Sequence, residues 1–379
     1  MYNFKIFKEI NSNEWNENLK KCDYSTFFQT AEFLIYESEG YGSPLFIYVF
    51  DESNIVQAQL GLIILNSASR FSSGLFLGSI TNFFGLATRA MWTSGPIIHT
   101  RNKKSRIEIL DVIIEAMESI AESYNLVLIG GYSPPQDLQV DEEYKIEFKK
   151  NKYEIINLHT YTTDLTQSID EIWDGVLKKP KGDVTRAFRK NIVVKEVENN
   201  NDLKEYAVLL KKWRESKGAE IKDPLKFVER YWNYYKTMES GRIFLAYEEG
   251  ELISGRRVGC FNGIVYTQEV INNYEKPSNL GGTLLTWHAV QWAKNSKMRV
   301  YDFSGISDGP ENVKKNQNQN KKWLSLEFYK SKWGGKKFMY YQFLKIRKKK
   351  KYRLFKILTR PYWVYRNFRM KRYKRYKKN

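Results

Sequence analysis

The chain is poor in the residues that staple or metallate small proteins. It has two cysteines in 379 residues, Cys22 and Cys260, and three histidines, His99, His159 and His288. Neither set has metal-ligand spacing, so no metal centre is expected. Two cysteines so far apart make no disulfide framework, and a reducing compartment follows. No Ser-His-Asp or Cys-His arrangement is visible, which argues against a covalent intermediate. Long apolar runs are missing too. Gly74 to Ile98 is rich in Phe, Leu and Gly, but Arg89 and scattered polar residues interrupt it. It falls short of the roughly 18 uninterrupted apolar residues of a spanning helix. Buried strands with a loop are expected there; an aromatic loop touching a bilayer is the alternative. No signal peptide is expected, because Met1-Tyr-Asn-Phe-Lys leads into a strand-like start.

Acidic residues are absent from one stretch. Residues 346–379 carry 16 Lys or Arg and no Asp or Glu, whereas the remainder has 46 basic against 43 acidic residues. The net charge of +19 therefore belongs largely to a C-terminal tail. That tail interleaves Tyr352, Phe355, Tyr362, Trp363, Tyr365, Phe368, Tyr373 and Tyr376. Basic-aromatic mixtures suit nucleic acid, through phosphates and base stacking, or an anionic membrane surface, where Trp and Tyr settle at the headgroups. Tyr352 to Phe368 reads as an interfacial helix broken by Pro361, with a disordered solubilising tail as the bland alternative.

What is present is enough for two ordinary domains, and 15% aromatic residues argue against disorder. Ser12 to Lys21 and Phe27 to Glu39 read as helices. Leu45 to Phe50 and Ile55 to Leu65 read as strands paired around Asp51-Glu-Ser-Asn54. Lys103 to Tyr124 is a long helix with Ile107, Leu110, Ile113, Ile114 and Met117 at helical spacing. Ser133-Pro134-Pro135 breaks the pattern, and a polar region runs to about residue 157. Helices are then expected over Leu165 to Leu177, Val184 to Lys190, Asp202 to Ser216 and Pro224 to Glu239. Strands are expected over Ile192 to Glu198, Arg242 to Tyr247, Leu252 to Phe261 and Ile264 to Val270. A helix from Thr283 to Asn295 leads to the strand Val300 to Gly305. The order helix, helix, three strands, helix, strand appears in rough form in both halves. The expected class is α/β with mixed sheets, divided as residues 1–150, 151–345 and the tail 346–379.

Several residues carry chemistry in this pattern. Gly281-Gly282 opens a helix and could cradle phosphate on free N–H groups, or simply make a tight turn. Arg256 and Arg257 are strand neighbours facing opposite ways, so at most one reaches a cleft. A cleft arginine suits bidentate phosphate contact; the alternative is an ion pair with Glu251 or Glu269. Tyr266 lines that cleft or is plain core. Lys178, Lys179, Lys181, Arg186 and Arg189 form a basic cluster, either a solvated helix face or a phosphate track.

Certain motifs resemble a known family. Phe28-Gln29-Thr30 with Phe33, then Gly95-Pro96, then Arg186-Ala-Phe-Arg189-Lys190, then Gly281-Gly282 through Tyr301-Asp302-Phe303-Ser304-Gly305, end in Tyr329-Lys330-x-x-Trp333-Gly334-Gly335. In order and spacing this resembles the FemAB-type aminoacyltransferases, which carry two GNAT-like acyltransferase domains. The last piece is similar to the family's Phe-Lys-x-x-Phe-Gly-Gly. The resemblance implies transfer of an amino acid from aminoacyl-tRNA, with no resident cofactor, to an amine of a peptidoglycan-type precursor. It implies that Lys330, beside Tyr329, lies at the active site, steadying an oxyanion or a phosphate, and that Asp302 orients the amine. The bland alternatives are an exposed lysine and a turn-forming aspartate. Members acting on nucleotide-linked precursors tend to have Trp and Lys where this chain has Phe33 and Glu37, which points to a lipid-linked or different acceptor. Coenzyme A enzymes want a basic residue or Gln where Ser278 stands, which leaves acyl-CoA as the alternative donor. Cytoplasmic location, peripheral at the inner membrane face, follows. A nucleic-acid-binding protein acting through its tail is the competing class; the near-neutral body weighs against it.

Overall fold

In the computed structural model, residues 1–40, 42–65, 84–135, 142–273, 280–307 and 327–376 are described. The chain opens with β1 (Asn3–Phe7), α1 (Ser12–Lys20), α2 (Ala31–Ser38), β2 (Gly42–Phe50), β3 (Val56–Leu65), β4 (Arg89–Trp92) and β5 (Ile97–Ile98). It continues with α3 (Lys103–Ser123), β6 (Leu128–Tyr132), α4 (Glu142–Lys150), β7 (Glu154–Asp164), α5 (Ile169–Gly175), α6 (Lys178–Arg189) and β8 (Val193–Glu196). Then come α7 (Asn200–Ser216), α8 (Pro224–Met238), β9 (Gly241–Glu248), β10 (Glu251–Phe261), β11 (Ile264–Asn272) and α9 (Leu280–Asn295). Last are β12 (Val300–Asp302), β13 (Ile306–Ser307), β14 (Lys336–Ile346) and α10 (Lys349–Tyr376). The class is α/β with mixed sheets, as the patterning indicates.

Two compact units divide the chain. One holds Met1–His159 and Phe338–Arg360, the other Thr160–Lys337 and Pro361–Asn379. The division at residue 150 is thus replaced by a switch inside β7. Residues 338–346, expected in the second domain, instead pair as a strand with the first unit: Gln342 lies opposite Tyr132 and Ile346 opposite Leu128. The polar region expected to residue 157 contains α4, which buries Tyr144 and Phe148 on one face. The basic tail is one helix that continues through Pro361 rather than breaking there.

The first unit orders its strands β1-β2-β3-β4-β6-β14. Among the described strands of this unit only β4 and β6 run parallel. The β2–β3 turn forms because Asp51 Oδ1 accepts from the Ser53 and Ile55 amides, each at 2.9 Å. Asn102 caps α3 through the Ser105 amide, and Ile109, Leu110, Ile113, Ile114 and Met117 bury against the sheet. Gln29, fully buried, spans Gly61 with both ends of its amide: Nε2 donates to the carbonyl at 3.2 Å and Oε1 accepts from the amide at 2.8 Å. Thr30 then caps α2. The Phe-Gln-Thr motif therefore satisfies buried backbone groups of β3.

The second unit orders its strands β8-β9-β10-β11-β12-β7, with β11 and β12 the parallel pair. This repeats the first unit strand for strand. The helix order repeats as well: α1, α2 and α3 take the places of α7, α8 and α9. The echo in the sequence pattern is thus a duplicated topology. In each unit the final strand comes from elsewhere in the chain, which is why pattern alone misplaced the boundary. Helix α9 packs its Leu284, Leu285, Ala289 and Val290 with Val258, Val265 and Tyr301 in one core. Helix α6 adds Val184 and Ala187.

Candidate active site

Position along β10–β12 sorts the charged residues onto two faces. Arg256 donates to the hydroxyls of Thr267 (3.0 Å), Tyr301 (3.1 Å) and Thr286 (2.5 Å), the last on α9. Arg257 faces the other way, with its guanidinium 3.5 Å from the Tyr231 ring centroid and 3.8 Å from Glu269. Alternation thus resolves the pair: Arg257 makes the Glu269 contact and Arg256 lies under α9.

Arg256 is 1% exposed, and among the described residues only hydroxyls hold it. Its Nε has no partner among the described residues. A buried cation without a carboxylate is costly unless a ligand anion completes it. Its hydroxyl partners are themselves linked, Thr267 to Tyr301 and Thr286 to Tyr329, each at 2.9 Å. Tyr329 therefore belongs to this group.

Asp302 ends β12 and is fully buried. Its Oδ1 accepts from the Thr160 hydroxyl and from the Ser304 amide at 2.7 Å. Tyr266, also buried, is the register partner of Asp302 on the neighbouring parallel strand. The backbone after Asp302 turns through Ser304 at φ +68°, presenting two carbonyls. Lys330, from the helical segment 327–331, donates to both: Ser304 O at 2.6 Å and Gly305 O at 3.3 Å. Burial pushes the Lys330 ammonium down to about 8; Asp302 opposes this and Arg256 adds to it. Lys330 is thus no exposed lysine, whereas Asp302, although buried, does form the turn after β12 through the Ser304 amide.

The Trp-Gly-Gly sequence positions Lys330. Trp333 is buried beside Phe303 and Tyr329. Gly334 has φ +75°, and a Cβ there would lie 2.5 Å from Gly175 O. One at Gly335 would lie 2.7 Å from Thr162 O. We expect Gly334→Ala to cost about 2 kcal/mol or more, from left-handed backbone plus the clash. Urea denaturation checks this; a loss under about 0.5 kcal/mol would mean the turn is not constrained.

The glycine pair of α9 serves packing. A Cβ at Gly281 would lie 2.8 Å from Ile253 Cδ1, and one at Gly282 2.7 Å from Asn272 Oδ1. Both glycines let the first turn of α9 press on β10 and β11, and Thr286 donates to Gly282 O at 2.8 Å. Ser278 lies outside the described residues, as does much of Gly74 to Ile98. Arg186 and Arg189 are not part of the buried group. They are exposed on α6, Arg186 paired with Asp183. With Lys178, Lys179, Gly182 and Thr185 they line an open depression of about 430 Å³. Among the described residues no three His, Cys, Asp or Glu side chains converge as metal ligands.

Sequence reading missed Thr160, Thr267 and Thr286 in this group, whereas Ser304 stood inside a quoted motif. Threonine is common and carries no motif, and Thr160 is far from Asp302 in the chain. Tyr301 and Trp333 stood inside the quoted motifs and were findable by adjacency.

No family model and no curated protein sequence matches the chain. Solved structures do. The crystal structure of FemX superposes with a TM-score of 0.69 at 14% identity, over 92% of this chain and 99% of that one. A tandem GNAT protein from the clavulanic acid biosynthesis pathway gives 0.51 at 13% identity, over 91% of this chain and 98% of that one. The chain therefore has a FemX-like tandem GNAT fold, the FemAB-type fold that the motifs indicate.

Proposed function

We propose that this chain is an N-acyltransferase that moves an aminoacyl group from aminoacyl-tRNA to an amine of a lipid-linked cell-envelope precursor, at the inner face of the membrane. The observation that carries the reading is Lys330: a buried ammonium fixed on the Ser304 and Gly305 carbonyls, beside Asp302, in a FemX-like fold. The acceptor amine attacks the ester carbonyl and a new C–N bond forms. The ester C–O bond breaks, the donor hydroxyl leaves protonated, and the amine gives up a proton. Lys330 offers N–H to the oxyanion that develops on the carbonyl. Asp302 holds the amine in its nucleophilic orientation. Arg256, which only hydroxyls hold among the described residues, takes a phosphate or carboxylate of a substrate.

Arg186 and Arg189 serve the donor's phosphates at a distance from the chemistry. Replacing both by Ala raises KM for aminoacyl-tRNA roughly tenfold, leaves kcat within about twofold and flattens the salt dependence of KM. An equal loss in kcat would put them elsewhere in the mechanism.

The tandem GNAT protein was solved without AcCoA, the thioester that GNAT-like folds would take, so a CoA thioester is the second donor to consider. Offering each donor separately decides between them. Transfer that ribonuclease abolishes supports aminoacyl-tRNA; saturable turnover of a CoA thioester with no tRNA-dependent product contradicts it.

A further inference from the structure

Helix α10 has an inner and an outer side. On the inner side Thr359 is buried and Tyr352, Phe355 and Met370 are partly buried. Lys351 donates to Phe84 O at 3.3 Å within the first unit, and Arg369 pairs with Glu220 within the second. The outer side is apolar. Leu354, Ile357, Val364, Tyr365 and Phe368 are 44%, 66%, 62%, 56% and 61% exposed. Their spacing of three, four and seven residues, with Pro361 between, keeps them on one face for nearly four turns. Exposed Lys350, Arg353, Lys356 and Arg360 flank the stripe, and the whole helix contains no Asp or Glu.

We propose that this face is a docking surface for an anionic lipid bilayer, on which α10 lies in the headgroup plane. The charge selects an anionic partner. The aliphatic side chains select a hydrocarbon phase, because Leu354, Ile357 and Val364 neither stack on bases nor bind phosphates. No described helix is long and apolar enough to cross a membrane, and α10 is amphipathic rather than uniformly apolar. This surface stands apart from the transfer chemistry. It would hold the protein where a lipid-borne substrate is found, and it remains if the reaction proves different.

The test is co-sedimentation of the full chain with vesicles of phosphatidylcholine alone or mixed with phosphatidylglycerol. Parallel samples carry Ile357→Ser/Val364→Ser/Phe368→Ser or Arg353→Glu/Arg360→Glu. These side chains are exposed, and thermal melting confirms that each variant folds; if the triple variant does not, Phe368→Ser alone replaces it. The expected result is partition onto the anionic vesicles only, weakened roughly tenfold or more by either variant. Binding of unacylated tRNA, measured separately, is expected to be unchanged by the serine substitutions. Absence of the wild type from anionic vesicles overturns the proposal. So does serine-variant binding equal to wild type, which would leave charge alone, or tRNA binding that the serine substitutions weaken.

Discussion

Lys330→Ala is expected to lower kcat/KM for transfer by about 10²- to 10³-fold, the range for losing one preorganised oxyanion donor. Stability should change little. The variant gives up two hydrogen bonds to carbonyls but also relieves the burial of a cation. The pH dependence separates this role from simple packing. With Lys330 held near 8, the ammonium is intact at neutral pH and is lost as pH rises through about 8. Lys330→Arg keeps its charge throughout, so the ratio of wild-type to Lys330→Arg rates should fall as pH passes 8. The sign for stability is opposite. Between about 8 and the ordinary lysine value the unfolded chain holds a proton that folded Lys330 has shed, so its penalty is full below about 8 and fades as pH rises. A Lys330→Ala enzyme within threefold of wild type would remove Lys330 from the chemistry.

Arg256→Met should divide stability from activity. Removing an ion that has no carboxylate partner among the described residues, and replacing it by an apolar side chain of similar length, often leaves a protein as stable or more so. The hydroxyls that Arg256 binds keep other partners: Thr267 and Tyr301 hold each other, and Thr286 holds Gly282 O and Tyr329. The melting temperature should therefore stay within a few degrees of wild type or rise. Activity should drop by about 100-fold, the loss expected when a charge-assisted contact to a substrate anion is removed. If the folded Arg256→Met variant instead keeps wild-type activity, no substrate anion is bound there.

The motifs of the candidate site were legible because backbone needs write strict residue choices. Gly334 and Gly335 must be glycine against Gly175 and Thr162, and the polar run that follows Asp302 marks the carboxyl end of β12, an interior strand between β11 and β7. The two faces of Arg256 and Arg257 followed from strand alternation alone. Three things were hidden. The glycine pair at α9 signals close helix–sheet packing as readily as phosphate binding, and only the distances to Ile253 and Asn272 show the packing. The unit boundary could not be read, since β7 and β14 change units within a strand and carry no breaker there. The apolar stripe on α10 was masked by its lysines and arginines until helical phase and exposure separated the two sides.

The most direct measurement of the central claim is transfer itself. Purified protein, wild type and Lys330→Ala, is incubated with radiolabelled aminoacyl-tRNAs and a membrane lipid extract, and the label is followed into the lipid phase. Ribonuclease-sensitive label in lipid with the wild type, reduced at least 100-fold by Lys330→Ala, is the predicted result. No transfer from any aminoacyl-tRNA, or equal transfer by both proteins, would contradict it.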